Sequence, residues 1–250
     1  MSQTKTYNSA DPLEVAQFSR LADRWWDERG PFRPLHRMNP LRISYIRDQA
    51  AIHFPLTSES VTPLDGLRLA DIGCGGGLLC EPMRRLGAKV TGIDASEENI
   101  VVAEAHAAQM SLDIAYKSMT AEQLVEQKIA PFDVILALEI IEHVNEPQQF
   151  LKTLAALVKP GGLLFLSTLN RTAKSFALAI VGAEYVMRWL PRGTHQWEKF
   201  LRPSEIIRPL EEMGFECVDL SGMIYHPLKN QFSLSKTDTD VNYLVTLRKR

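Results

Sequence analysis

The chain has 250 residues, 45% of them hydrophobic, and a formal net charge of −2. That composition supplies one large core with a short appended arm, and the near-neutral charge excludes a chain-wide attraction to nucleic acid. Cys74, Cys80 and Cys217 have neither CxxC nor zinc-finger spacing, so a disulfide framework is not expected and a reducing compartment is. Residues 1–8 have no apolar run and no arginine enrichment, so no signal or transit segment is visible and a cytoplasmic protein is expected.

Asp11-Pro12 reads as an N-cap with proline at the first helical position. Leu13, Val15, Phe18, Leu21 and Trp25 then carry a helical stripe to the Gly30-Pro31 break, and the Trp25-Trp26 pair reads as a packing anchor. A second helix is expected from Asn39-Pro40 over residues 41–54, with Leu41, Tyr45 and Ile46 on one face. Residues 32–38 read as a dense loop, either a spacer or a lid. Residues 1–60 are expected to form an N-terminal helical arm and residues 61–250 the main domain.

From Leu67 the pattern changes to short apolar runs alternating with helical stretches, as βαβ units require. Strands are expected at residues 67–71, 89–94, 112–116, 132–138, 163–167, 215–220 and 243–247. Helices are expected at residues 78–86, closed by Gly87, at 147–158, and at 203–213, stopped by Gly214. Ser96 before Glu97 and Glu98 reads as a further N-cap. The expected fold is α/β, with a doubly wound, mostly parallel sheet of seven strands.

The first strand breaks into Asp71-Ile72-Gly73-Cys74-Gly75-Gly76-Gly77, where backbone is bare enough to approach a ligand. A dinucleotide fingerprint counted from Gly73 needs a third small residue, and Leu78 stands there. The acidic-x-Gly-x-Gly-x-Gly run instead resembles the first motif of S-adenosylmethionine-dependent methyltransferases. Asp94 closes the next strand, where a carboxylate can accept both ribose hydroxyls.

The chain from about Val15 onward resembles the ubiquinone-biosynthesis O-methyltransferases. The resemblance is carried by Arg24-Trp25-Trp26-Asp27, the run from Pro34 to Arg42, Glu139-Ile140-Ile141-Glu142-His143-Val144, Ser167-Thr168-Leu169-Asn170-Arg171-Thr172, Gly182-Ala183-Glu184-Tyr185, Gly193-Thr194-His195 and Asp240-Val241-Asn242-Tyr243. It implies methylation of catechol-type hydroxyls on polyprenylated rings, at both O-methylation steps. It also implies a cofactor site of Asp71, Gly73, Gly75 and Asp94, with Arg42 reaching in from the arm and Leu138 lining the adenosyl pocket. Met119-Thr120-Ala121-Glu122 lacks the aspartate with which many methyltransferases hold the adenine amine.

A phenol with a pKa of about 10 needs help to ionise at neutral pH. Glu139, Glu142 and His143 follow the fourth strand at i, i+3 and i+4, and would share one face of a helix. Two carboxylates and an imidazole suit Mg²⁺, which lowers the pKa of a bound hydroxyl, and Glu142 or His143 can also serve as base. The plainer alternative is a helix start with acids that suit its dipole and a packed histidine. His195 is the second-choice base.

The insertion at residues 170–200 is apolar but too short to span a bilayer. Lys174, Arg188 and Arg192 flank its apolar residues, among them Ala179 and Val186, and Tyr185, Trp189 and Trp197 suit a headgroup interface. Peripheral membrane contact through residues 174–197 and a cap over the active site are both consistent with it. Two other readings stand beside the prenylated substrate: a non-catalytic scaffold of a quinone-synthesis complex, and a methyltransferase for a soluble phenol.

Overall fold

The computed structural model describes residues 8–55, 60–177 and 196–250. Among them one sheet contains β1 (Arg68–Ile72), β2 (Lys89–Asp94), β3 (Ala115–Ser118), β4 (Phe132–Leu138), β5 (Val158–Leu169), β6 (Phe215–His226), β7 (Gln231–Ser235) and β8 (Asn242–Lys249). The helices are α1 (Pro12–Ser19), α2 (Arg33–His53), α3 (Cys80–Arg85), α4 (Glu97–Gln109), α5 (Ala121–Glu126), α6 (Pro147–Leu157), α7 (Ala173–Ser175) and α8 (Pro203–Glu212). The strand order is β3-β2-β1-β4-β5-β8-β6-β7. The first five strands pair in parallel, whereas β5–β8, β8–β6 and β6–β7 are antiparallel.

Alternation along each strand divides the core into two layers. On β1, Leu69 packs with α2, α3 and α4, while Ala70 and Ile72 pack with α5, α6 and α8. All seven residues of β4 are buried, as the apolar run Phe132-Asp133-Val134-Ile135-Leu136-Ala137-Leu138 requires of a central strand. Asp133 accepts from the Arg68 backbone N–H at 2.8 Å and pairs with Lys159, tying β1, β4 and β5 together at their amino ends. The strand order reverses between β1 and β4, which opens a crevice at their carboxyl ends.

The fold class is as expected, but the sheet has an eighth strand. β6 runs on to His226 and returns as β7, whose Gln231-Phe232-Ser233-Leu234-Ser235 alternation is short and largely polar. The third strand lies at Ala115–Ser118, not at residues 112–116, and β5 already begins at Val158. α1 stops at Ser19 and a 3-10 turn follows at Ala22–Arg24, so the first stripe is broken rather than one helix to Gly30.

The segment at residues 32–38 is not a loop: α2 starts at Arg33, with Pro34 in its first turn and Pro40 inside it. Proline in a first turn has no helical N–H to lose, so Pro34 opens the helix that Asn39-Pro40 was expected to open. Gly87 and Gly214 take φ of +103° and +87° after their helices, and Ser96 Oγ accepts from the Asn99 N–H at 3.1 Å, as the capping signals require. Ala179, Tyr185, Val186, Arg188, Trp189, Arg192 and His195 lie outside the described residues. Among the described residues no helix is long and apolar enough to cross a membrane.

Candidate active site

The glycine loop leaves β1 with Gly73, Gly75 and Gly77 at φ of +74°, +52° and +86°. Gly73 and Cys74 donate their N–H groups to the Ile93 carbonyl at 2.8 and 2.9 Å, pinning the loop to β2. The paired tryptophans pack on the loop itself. A Cβ on Gly75 or Gly76 would lie 2.4 Å from the Trp25 side chain, so glycine is required there by packing. Trp25 Nε1 donates to Asn99 Oδ1 at 2.8 Å and Trp26 Nε1 to the Gly76 carbonyl at 3.0 Å. Leu78 is buried with Trp25 and Phe32, so the residue that breaks the dinucleotide fingerprint is what the arm packs against.

Asp94 Oδ2 accepts from the Gly75 N–H at 2.9 Å, and Oδ1 from Ser96 N–H at 2.9 Å and Asn99 Nδ2 at 3.2 Å. Burial raises its pKa despite these donors. Asp71, on the neighbouring strand β1, is pushed up to about 7 by burial, with a further push from the Asp94 charge; Cys80 Sγ donates to it at 3.4 Å. Asp71, Gly73, Asp94 and Leu138 line a pocket of about 560 Å³ together with Arg42, Glu139, Glu142 and His143. Gly75 does not line it; it lies under Trp25 and holds Asp94.

Arg42 is 2% exposed on α2, donates from Nη2 to Glu139 Oε1 at 2.7 Å, and has an Nε with no partner. A buried guanidinium with an unpartnered N–H in a pocket-lining side chain suits a carboxylate ligand. Glu139 also accepts from Ser167 Oγ at 2.7 Å and from Asn242 Nδ2 at 3.2 Å. Its φ of +52° is uncommon for a side-chain-bearing residue and is held by its N–H bond to the Ser167 carbonyl at 2.9 Å.

The shared helical face does not form. Only Ile141–His143 makes a 3-10 turn, and Glu139 stands before it in the left-handed region. Glu142 is 4% exposed and its Oε2 has no partner. Burial, reinforced by the nearby Glu139 charge, pushes its pKa up to about 7.

His143 Nδ1 meets Glu14 Oε2 of α1 at 3.1 Å, and the Phe18 ring lies edge-on to the imidazole at 5.2 Å. Burial alone would lower the His143 pKa, but the bond to Glu14 and the charges of Glu142, Glu14 and Glu139 outweigh it and leave it raised. The His143 bond, more than the weaker pull of Lys199 at 2.9 Å, holds Glu14 down at about 2 against its own burial. Among the described residues no three His, Cys, Asp or Glu side chains are gathered as a metal site requires. Glu139 and His143 already have other partners, and only Glu142 presents an unpartnered oxygen.

Glu14, Ser167 and Asn242 carried no role in the sequence. Ser167 and Asn242 stood in stretches that carry the family resemblance, whereas Glu14 is an ordinary first-turn acid of a short helix.

A methyltransferase-domain family model matches residues 36–220. Magnesium protoporphyrin IX methyltransferase from Synechocystis PCC 6803, solved with bound SAH, shares the fold with a TM-score of 0.65 at 19% identity, over 95% of this chain and 98% of that one. The chain is thus a class I methyltransferase in fold and family. A ubiquinone biosynthesis O-methyltransferase from Maricaulis maris is 54% identical over 241 residues, covering 96% of this chain and 94% of the relative. Another from Sinorhizobium medicae is 52% identical over 249 residues, covering 100% and 99%. The chain belongs to the ubiquinone biosynthesis O-methyltransferases and is an S-adenosylmethionine-dependent O-methyltransferase.

Proposed function

We propose that this enzyme methylates catechol-type hydroxyls of polyprenylated benzene rings, at both O-methylation steps of ubiquinone synthesis, with Glu142 taking the hydroxyl proton. Its relatives' names support the pathway, and the buried, unpartnered Glu142 Oε2 supports the chemistry. In the proposed complex Arg42 Nε pairs with the cofactor's carboxylate, Asp94 accepts from its ribose, and Leu138 packs against the adenosyl group. Asp71, Gly73 and Gly75 set the loop backbone beneath it.

S-adenosylmethionine, when bound, would supply an electrophilic methyl group and leave as a neutral thioether, and Glu142 would take the proton the phenol gives up as its oxygen bonds to that methyl carbon. Moving a proton from a phenol of pKa about 10 to a carboxylate at about 7 costs about 4 kcal/mol; an ordinary glutamate would make it about 8 kcal/mol. Ether formation then removes the phenolate and draws the transfer forward. His143, oriented by Glu14, places an imidazole beside the developing charges.

The unpartnered Glu142 oxygen also favours a second reading, in which Glu139, Glu142 and His143 would hold Mg²⁺, whose chemistry there would be to make the hydroxyl more acidic. That site needs Glu139 and His143 to leave Arg42 and Glu14. Peripheral membrane contact through residues 174–197, at the inner face, and a place in a quinone-synthesis complex fit a greasy substrate.

Labelled S-adenosylmethionine, offered with catechol or geranylcatechol before and after exhaustive chelation, tests both readings. Methyl transfer that prefers geranylcatechol and survives chelation is expected. Transfer abolished by chelation and restored by Mg²⁺ moves the proton's removal to the metal, and no transfer to either catechol refutes the substrate class.

A further inference from the structure

The pocket is chemically lopsided. Its polar end is built from the carboxyl ends of β1, β4 and β5 with α1 and the third turn of α2, and holds Arg42, Glu139, Glu142 and His143. A second, more apolar wall comes from the β6–β7 hairpin and the first turns of α2, where β7 was not expected and residues 32–38 were expected as a loop.

Strand register places the hairpin over the pocket. β6 pairs with β8 only as far as Gly222↔Tyr243, because β8 begins at Asn242 beside the carboxyl end of β5. Beyond that point, residues 223–226 pair with β7 alone, from Met223↔Leu234 to His226↔Gln231. The hairpin therefore overhangs the sheet at the edge where the reaction site lies.

Alternation puts Met223, Tyr225 and Phe232 on one face of this overhang, with Tyr225 directly opposite Phe232 and their rings 5.1 Å apart. Met223 and Met38 of α2 belong to one core cluster, against which Phe232 and Leu35 pack, and these four residues and Tyr225 all line the pocket. At the tip, Tyr225 Oη donates to Asn230 Oδ1 at 2.8 Å and Leu228 is fully exposed. This wall thus runs from the buried site to an apolar side chain in solvent.

We infer that this wall is the subsite for the substrate's hydrocarbon tail: a prenyl chain lies between Met223, Tyr225 and Phe232 and the Leu35–Met38 turn of α2, and leaves the pocket at the hairpin tip. The inference rests on the prenylated substrate proposed above. A cavity of about 560 Å³ is of the size that holds one or two small ligands. With a cofactor and an aromatic ring inside it, a long chain must leave, and the apolar wall that ends at Leu228 offers an exit with little desolvation of polar groups.

The test compares kcat/KM for geranylcatechol and catechol in the intact enzyme and in two variants, Phe232→Ala, which removes tail contact, and Leu35→Trp, which fills the gap. Thermal melting and S-adenosylmethionine binding report whether each variant is folded. In both, the geranylcatechol-to-catechol ratio of kcat/KM is expected to fall about tenfold or more, chiefly through KM for geranylcatechol. If the intact enzyme prefers geranylcatechol and both folded variants keep that preference, the subsite is refuted and the substrate reading stands. An equal loss on both substrates in the folded variants also refutes it. If the intact enzyme shows no preference, the prenylated-substrate reading itself fails.

Discussion

Glu14 shows how one side chain from outside the sheet sets the chemistry inside it. Its carboxylate joins His143 on one oxygen and Lys199 on the other, so it orients the imidazole and anchors α1. Glu14→Ala should lower kcat about tenfold to a hundredfold with little change in KM for S-adenosylmethionine. Lys199→Met, which loses the same anchor but keeps the histidine's partner, should be much milder; equal losses in the two variants would make Glu14 a mere tether.

Asp71 makes a different prediction. Its folded pKa of about 7 lies above its unfolded value, so the folded state favours the proton. That contribution is complete below about pH 4 and is lost as pH rises toward about 7. The melting temperature of the cofactor-free enzyme should therefore fall more between about pH 5 and about pH 8 than that of Asp71→Asn. Parallel melting curves would show that Asp71 is ionised throughout.

At the scale of elements, legibility followed how local the signal was. Gly87, Gly214 and Ser96 cap their helices because a left-handed φ or a hydroxyl at a helix start is a local requirement. The start of α2 was hidden because two proline positions competed and Asn39-Pro40 had the stronger helix-start signature, yet tertiary burial of Met38 and Asn39 extends the helix back to Arg33. β7 was hidden because it forms only as the return arm of β6.

Gly222 stands at the base of that hairpin, paired with Ser235 of β7 and with Tyr243 of β8. A Cβ there would lie 1.7 Å from the Asp238 carbonyl oxygen, in the loop whose Asp238 pairs with Lys174 at the pocket rim. Gly222→Ala should cost about 1–3 kcal/mol in urea unfolding, by overpacking against backbone. An unchanged midpoint would mean that the loop moves freely.

Across the whole molecule, the parallel half of the sheet and the glycine loop were readable because buried strands and bare backbone have strong local patterns. Arg42, Asp71, Asp94, Leu138, Glu139, Glu142 and His143 do line one pocket, whereas Gly75 supports it from behind. The relation among Glu139, Glu142 and His143 was not readable, because periodicity assumed a helix where the chain makes a left-handed residue and a 3-10 turn. Their partners come from α1, α2, β5 and β8, at sequence separations no local pattern reaches.

The most direct test of the proton's route is the pH dependence of kcat/KM for geranylcatechol in the intact enzyme and in Glu142→Gln. With Glu142 as acceptor, the intact enzyme's rate climbs with pH and levels off near about pH 7, where the carboxyl has ionised. Glu142→Gln is expected to lose about a hundredfold or more and to lack that inflection, while still binding S-adenosylmethionine. A Glu142→Gln enzyme that keeps both the rate and the inflection would contradict the assignment.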